Sequence, residues 1–269
     1  MTQLKKEATA VDKADPIAVA AARAVDYLKQ RVDARKPNGE AIRALLIAGA
    51  KGYNVGTSLD AVLPFLKSSA QWPKADRIAL AHALAAAERL GRAASTDLAA
   101  AAKALTGDQQ QDGSYGSMLD TWRARQTLIE SGMQPDDVWI ILIDRWVRGV
   151  SQLDATSEVA AALLALDLTS DVMADNLRRS SLGYLRNAQS KDGGWGPKAD
   201  APTIIDTALA VLALSMLDVE PRLARSTYRP EELKDAIARG KAYLASQQRP
   251  DGSWAGGGAI PWALLALLS

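Results

Sequence analysis

Four carboxylates, Asp76, Asp120, Glu158 and Asp206, each stand eight residues ahead of a leucine: Leu84, Leu128, Leu166 and Leu214. Each leucine lies in an Ala- and Leu-rich segment with helical spacing, so the acids fall at helix starts. If those segments lie side by side, the four acids circle one mouth, and Asn38 and Ala259 take the same register in the first and last segments. Two kinds of chemistry are open to such a ring. An acid in a first helical turn complements the helix dipole, contributes about 0.3–1 kcal/mol and is favoured ionised. Two acids sharing a proton would instead hold one carboxyl protonated, a general acid, and Asp206 and Asp120 are the pair read that way.

One segment differs from its neighbours. Asp120-Thr121-Trp122-Arg123-x-Arg125-Gln126 carries two arginines and a glutamine where the others carry mostly Ala, Leu and Val. Arginine forks match carboxylates and phosphates. Arg123 and Arg125 are therefore expected to join the acids in a polar mouth that grips the head of an amphipathic ligand, or else to pair with Asp120 and Glu130. His82, the only histidine, reads as a core or cavity-wall residue rather than a lone metal ligand. Seven Trp, six Tyr and one Phe are present, and most fall at repeat positions, which leaves Trp122, Trp139 and Trp262 to line a cavity. Steering a carbocation needs many ring faces, and few are on offer.

Composition removes other classes. The chain has no cysteine, which excludes disulfides, thiolate–zinc sites and thiol nucleophiles. Its 32 basic and 31 acidic residues are spread evenly, so the basic stripe of a nucleic-acid binder is missing. Asp136-Asp137, the only adjacent Asp pair, follows Pro135 at a helix start and reads as a cap rather than a magnesium site. No metal and no cofactor are expected. No apolar run reaches the 18 residues of a membrane span. Residues 1–15 read as a polar tail without a signal-peptide apolar stretch, which leaves the compartment open.

The elements that position these residues are set by a repeat. Tyr184-Leu185-x3-Gln189-x2-Asp192-Gly193-x-Trp195 recurs 59 residues on as Tyr243-Leu244-x3-Gln248-x2-Asp251-Gly252-x-Trp254. A weaker copy runs Leu105-x3-Gln109-x2-Asp112-Gly113-x-Tyr115. With the aromatic–Leu pair as a ruler, fainter copies fall at Tyr27-Leu28, Phe65-Leu66 and Trp146-Val147. Each is followed by a turn and a second, more apolar helix: 41–50, 78–90, 119–129, 159–168, 204–217 and 260–268. Pro16 and Pro230 mark first helical positions, and Ser117-x-x-Asp120 and Thr203-x-x-Asp206 read as capping boxes. Alanine runs favour helix, and no strand-period segment competes. The reading is an all-α chain of six helical hairpins, one domain over 16–269, with the apolar helices enclosed. In the repeat itself, Gln109, Gln189 and Gln248 are expected to bond open backbone groups and tie one hairpin to the next. Gly113, Gly193 and Gly252 permit the turn, and Tyr115, Trp195 and Trp254 are buried there. Residues 217–231 read as an inserted loop.

Arg239-Gly240-x2-Tyr243-Leu244-x3-Gln248-x3-Gly252-x-Trp254 resembles the QW motif of squalene-hopene and oxidosqualene cyclases. The preceding copy departs from it, with Ser180 and Ser181 in the Arg and Gly places. Trp262-Ala263-Leu264-Leu265-Ala266-Leu267 also looks like the helix that follows such motifs. The resemblance implies an (α/α)6 toroid of the cyclase and protein-prenyltransferase β-subunit type with an axial cavity. The cyclases' Asp-x-Asp-Asp-Thr-Ala resembles Thr203-Ile204-Ile205-Asp206-Thr207-Ala208, where Ile205 stands in the place of the proton donor. The zinc of the prenyltransferases needs Asp, Cys and His, and without cysteine it cannot be assembled.

The resulting expectation is a squalene-cyclase-like toroid that binds an isoprenoid or related lipid in an apolar central cavity without the standard acid. Two alternatives stay beside it: a terpene cyclase using Asp206 or Asp120, and a protein-interaction scaffold with a filled core. Whether the chain is an enzyme is left open. So is peripheral membrane contact through the apolar run Leu264–Leu268.

Overall fold

The computed structural model describes residues 15–33, 35–134, 156–166, 172–197, 201–218 and 229–269. Among them there is no strand. The helices are α1 (Pro16–Lys29), α2 (Gly39–Ala50), α3 (Ser58–Leu66), α4 (Arg77–Arg89), α5 (Ser95–Thr106), α6 (Met118–Glu130), α7 (Thr156–Leu166), α8 (Val172–Ala188), α9 (Ile204–Asp218), α10 (Pro230–Ser246) and α11 (Ile260–Leu268). The all-α expectation is met, and the expected apolar helices match within a few residues. Trp139, Trp146, Asp136 and Asp137 lie outside the described residues, as does most of the expected loop.

Helix starts follow the caps written in the sequence. Asp15 accepts from the Ile17 amide ahead of Pro16, and Asn38 accepts from the Ala41 amide, both at 3.0 Å. The hydroxyls of Ser117 and Thr203 accept from the amides of Asp120 and Asp206 at 3.0 and 3.1 Å. Each cap satisfies a donor that the first turn leaves open.

The second helix of each pair packs on the next in the order α2, α4, α6, α7, α9, α11, and α11 packs back on α2. Their Ala and Leu content allows close approach on every side: Val159–Leu166 of α7 and the whole of α11 are buried. At Gly39 the fit excludes even a methyl group, because a Cβ there would lie 2.4 Å from the backbone of Ala79. The amphipathic helices cover this layer: α3 touches α2 and α4, α5 touches α4 and α6, α8 packs on α7, α10 on α9, and α1 on α11 and α2.

The repeat links one amphipathic helix to the next. Trp195 and Trp254 are buried, and their indole N–H groups donate to the carbonyls of Leu185 and Leu244 at 2.8 and 2.7 Å. The Gln189 amide donates to Gly193 O at 3.0 Å and to Ala236 O of α10 at 2.9 Å. The Gln248 amide donates to Gly252 O at 3.1 Å and to Ala20 O of α1 at 2.9 Å. Both glycines have positive φ, and a Cβ on Gly193 or Gly252 would lie 2.6 or 2.3 Å from Arg239 O or Arg23 O. Ala236 and Arg239 stand three apart, as do Ala20 and Arg23, so α1 receives the last repeat as α10 receives the one before it. Gln109 makes the intra-turn bond to Gly113 O at 3.2 Å.

Candidate functional site

The expected acidic ring is only partly assembled. Asp120 and Glu158 face one another at the starts of α6 and α7, where burial first and the Asp120 charge second hold the Glu158 carboxyl above the usual carboxylate range. Asp206 does something else. Its two carboxylate oxygens accept from the Ser157 amide at 2.8 Å and the Thr203 hydroxyl at 2.5 Å. It clamps the start of α9 to the start of α7. Asp76 is exposed at the N-cap of α4, in a single 3-10 turn, and among the described residues its carboxylate makes no hydrogen bond or ion pair.

Glu40 was missed by sequence reasoning. It sits in the first turn of α2, and its Oε1 lies 3.0 Å from Nε of Arg123. Arg123 also holds Asp120 at 2.6 Å and lies over the Trp262 ring at 4.8 Å. Burial pushes the Glu40 carboxyl above its ordinary pKa despite Arg123 and Arg43 nearby.

Arg125 was expected beside Arg123, but two positions along a helix turn a side chain to the far face. Arg125 is buried in a separate hollow of about 120 Å³ with Thr106, Gln109, Tyr115, Leu128, Met133 and Gln134. It therefore takes no part in the cluster at the helix starts.

Deeper in, the middle of the helix layer is polar and aromatic rather than apolar. Trp122 of α6 meets Trp262 of α11 at 6.3 Å, although these helices stand three steps apart in the cyclic packing order. His82 of α4 sits edge-on to Trp122 at 5.0 Å. Its Nε2 pairs with Gln126 Oε1 at 2.9 Å, and the Gln126 amide in turn donates to Glu130. His82 is 1% exposed, and burial, with Arg43 and Arg123 near, drives its pKa well below 6.5. Arg43 of α2 lies over the Trp122 ring at 5.8 Å. Arg43 and Gln126 were not singled out by the sequence reading. An arginine in an otherwise Ala-Leu-Ile helix was the available signal for Arg43.

An apolar hollow lies between the starts of α9 and α11. It measures about 550 Å³ and is lined by Thr203, Ile204, Ile205 and the stretch Ala255–Ala259. Ile205 forms part of this wall. No group of three or more His, Asp or Glu suited to a metal ion occurs among the described residues. No described helix is long and apolar enough to cross a membrane.

Chemically, the arrangement supplies guanidinium groups over the rings of Trp122 and Trp262, and two acids, Glu40 and Glu158, with buried oxygens that accept no hydrogen bond among the described residues. The chain matches no family model and no curated protein sequence.

Proposed function

We propose that the helical pairs form an (α/α)6 toroid of the cyclase and prenyltransferase β-subunit type that binds an isoprenoid or related lipid and does not cyclise it. The cyclic packing order and the bond from Gln248 to Ala20 support the closed arrangement. The binding site is at the mouth, in the hollow of Ile204, Ile205 and Ala255–Ala259, rather than along the axis.

One observation supports this reading: Ile205, which the resemblance sets in the acid's place, lines an apolar hollow. An isoprenoid seated there meets a hydrocarbon side chain that has no proton to give. Asp206, the next residue, is committed to Ser157 and Thr203. Titration with geranylgeraniol, followed by tryptophan fluorescence, tests the site. Binding should saturate for the unaltered protein and weaken at least tenfold in Ile205→Asp; equal binding by that variant would overturn the placement.

The contact between Trp122 and Trp262 favours a second reading, a scaffold with a filled centre that uses its rim to hold a protein partner. Absence of any isoprenoid binding, with the fold intact, would select it.

A further inference from the structure

Arg43 is the one charge of the central cluster left without a counterpart. It is 8% exposed, and among the described residues its guanidinium makes no hydrogen bond and no ion pair. The charges acting on it are Glu40, Arg89, Glu130 and Arg123. Each acid among these is committed elsewhere: Glu130 to Arg89 at 3.1 Å, and Glu40 to Arg123 at 3.0 Å. Asp120 is likewise held by Arg123. The Arg43 Nε is buried without a partner, and a buried donor left unfilled beside a buried charge is costly.

Beside it lies a second idle donor. Trp122 is 3% exposed, its Nε1 has no partner, and Arg43 lies over its ring. The Gln126 amide donates to Glu130, so Gln126 Oε1 accepts from His82 Nε2–H, and the free Nδ1 of His82 is then an acceptor. A planar fork next to an indole N–H matches two oxygens of one oxyanion. No acid among the described residues supplies those oxygens.

We propose that Arg43 and Trp122 form an interior site for a small oxyanion, a carboxylate or phosphate, separate from the apolar hollow at Ile205. The oxyanion comes either as a free small anion or as the head of a prenyl phosphate, and both present the same oxygens to the fork. Bound there, it neutralises Arg43 and stabilises the folded state by mass action.

The test is thermal unfolding in acetate or inorganic phosphate against chloride at equal ionic strength. The unaltered protein should show a saturable rise in Tm. The apparent Kd should be at least tenfold weaker in Arg43→Met and unchanged in Arg249→Met, which alters an exposed arginine. Trp122→Phe keeps a ring but removes the N–H, and should weaken binding several-fold, which covers the case of an Arg43 variant that fails to fold. Stabilisation by geranylgeranyl phosphate alone, lost in either variant, would also support the site and make the anion a lipid head. No saturable effect of any of the three anions, or effects in Arg43→Met and Trp122→Phe as strong as in the unaltered protein, would overturn it. Neutral geranylgeraniol reports on Ile205 independently, so failure of one site is told apart from failure of the other.

Discussion

Trp122 and Trp262 reach each other across the helix layer, their ring centres 6.3 Å apart, from helices that are not neighbours in the packing order. Arg43 and His82 lie against the same Trp122 ring, at 5.8 and 5.0 Å. Trp122→Ala should therefore cost about 3–5 kcal/mol, the range for deleting a buried aromatic. Chemical denaturation checks this, and a loss under about 1 kcal/mol would contradict it.

Gln248 tethers the last repeat to α1 through Ala20. Gln248→Ala removes that bond and the one to Gly252, and should lower stability by about 1–2 kcal/mol in urea unfolding. Gln109→Ala should lose about half as much, since among the described residues Gln109 reaches only Gly113 and the Gln110–Ser114 turn bonds remain in place.

Two helical glycines should respond in opposite directions to alanine. A Cβ on Gly183 in α8 meets open space, so Gly183→Ala should stabilise by about 0.5–1 kcal/mol. At Gly39 the new methyl would strike the Ala79 and Leu80 backbone, and overpacking should destabilise by about 1–3 kcal/mol. Parallel thermal melts decide between these signs.

His82 predicts a pH dependence. Its folded pKa is depressed by burial, so below about 6.5 the unfolded chain takes a proton that the folded chain refuses. The associated stability is full above 6.5 and falls as pH drops, by up to about 1.4 kcal/mol per unit. Glu40 and Glu158 run the other way. Their raised pKa values make the folded state hold protons longer, so their cost grows as pH rises above 4.5. The stability difference between the unaltered protein and His82→Gln isolates the histidine, and should narrow from pH 7 to pH 5. As the only histidine, its ring proton is easily followed by NMR, where the shift should stay flat from pH 8 to pH 5.

Helix positions were legible because Pro16, Pro230, Ser117 and Thr203 fix starts locally, and Ala-Leu runs leave little competition. The repeat gave the Gln tethers, but not which carbonyls they reach, because Ala20 and Ala236 carry no distinguishing side chain. Register alone placed Asp120 and Glu158 together. It did not say what each acid would bond: Asp76 stands exposed at its N-cap, and the Asp206 oxygens are taken up by a neighbouring amide and hydroxyl. Arg125 was misplaced because proximity in sequence was weighed above the helical angle. Glu40 and Arg43 were missed because their role depends on which helices face each other across the layer, a relation that no single segment encodes.

The most direct test of lipid binding without turnover is native mass spectrometry of the protein mixed with geranylgeraniol, followed by extraction and product analysis. A one-to-one adduct is predicted, reduced in Ile205→Asp, with the alcohol recovered unchanged. A cyclised product, or a folded protein that carries no adduct at any ratio, would contradict it.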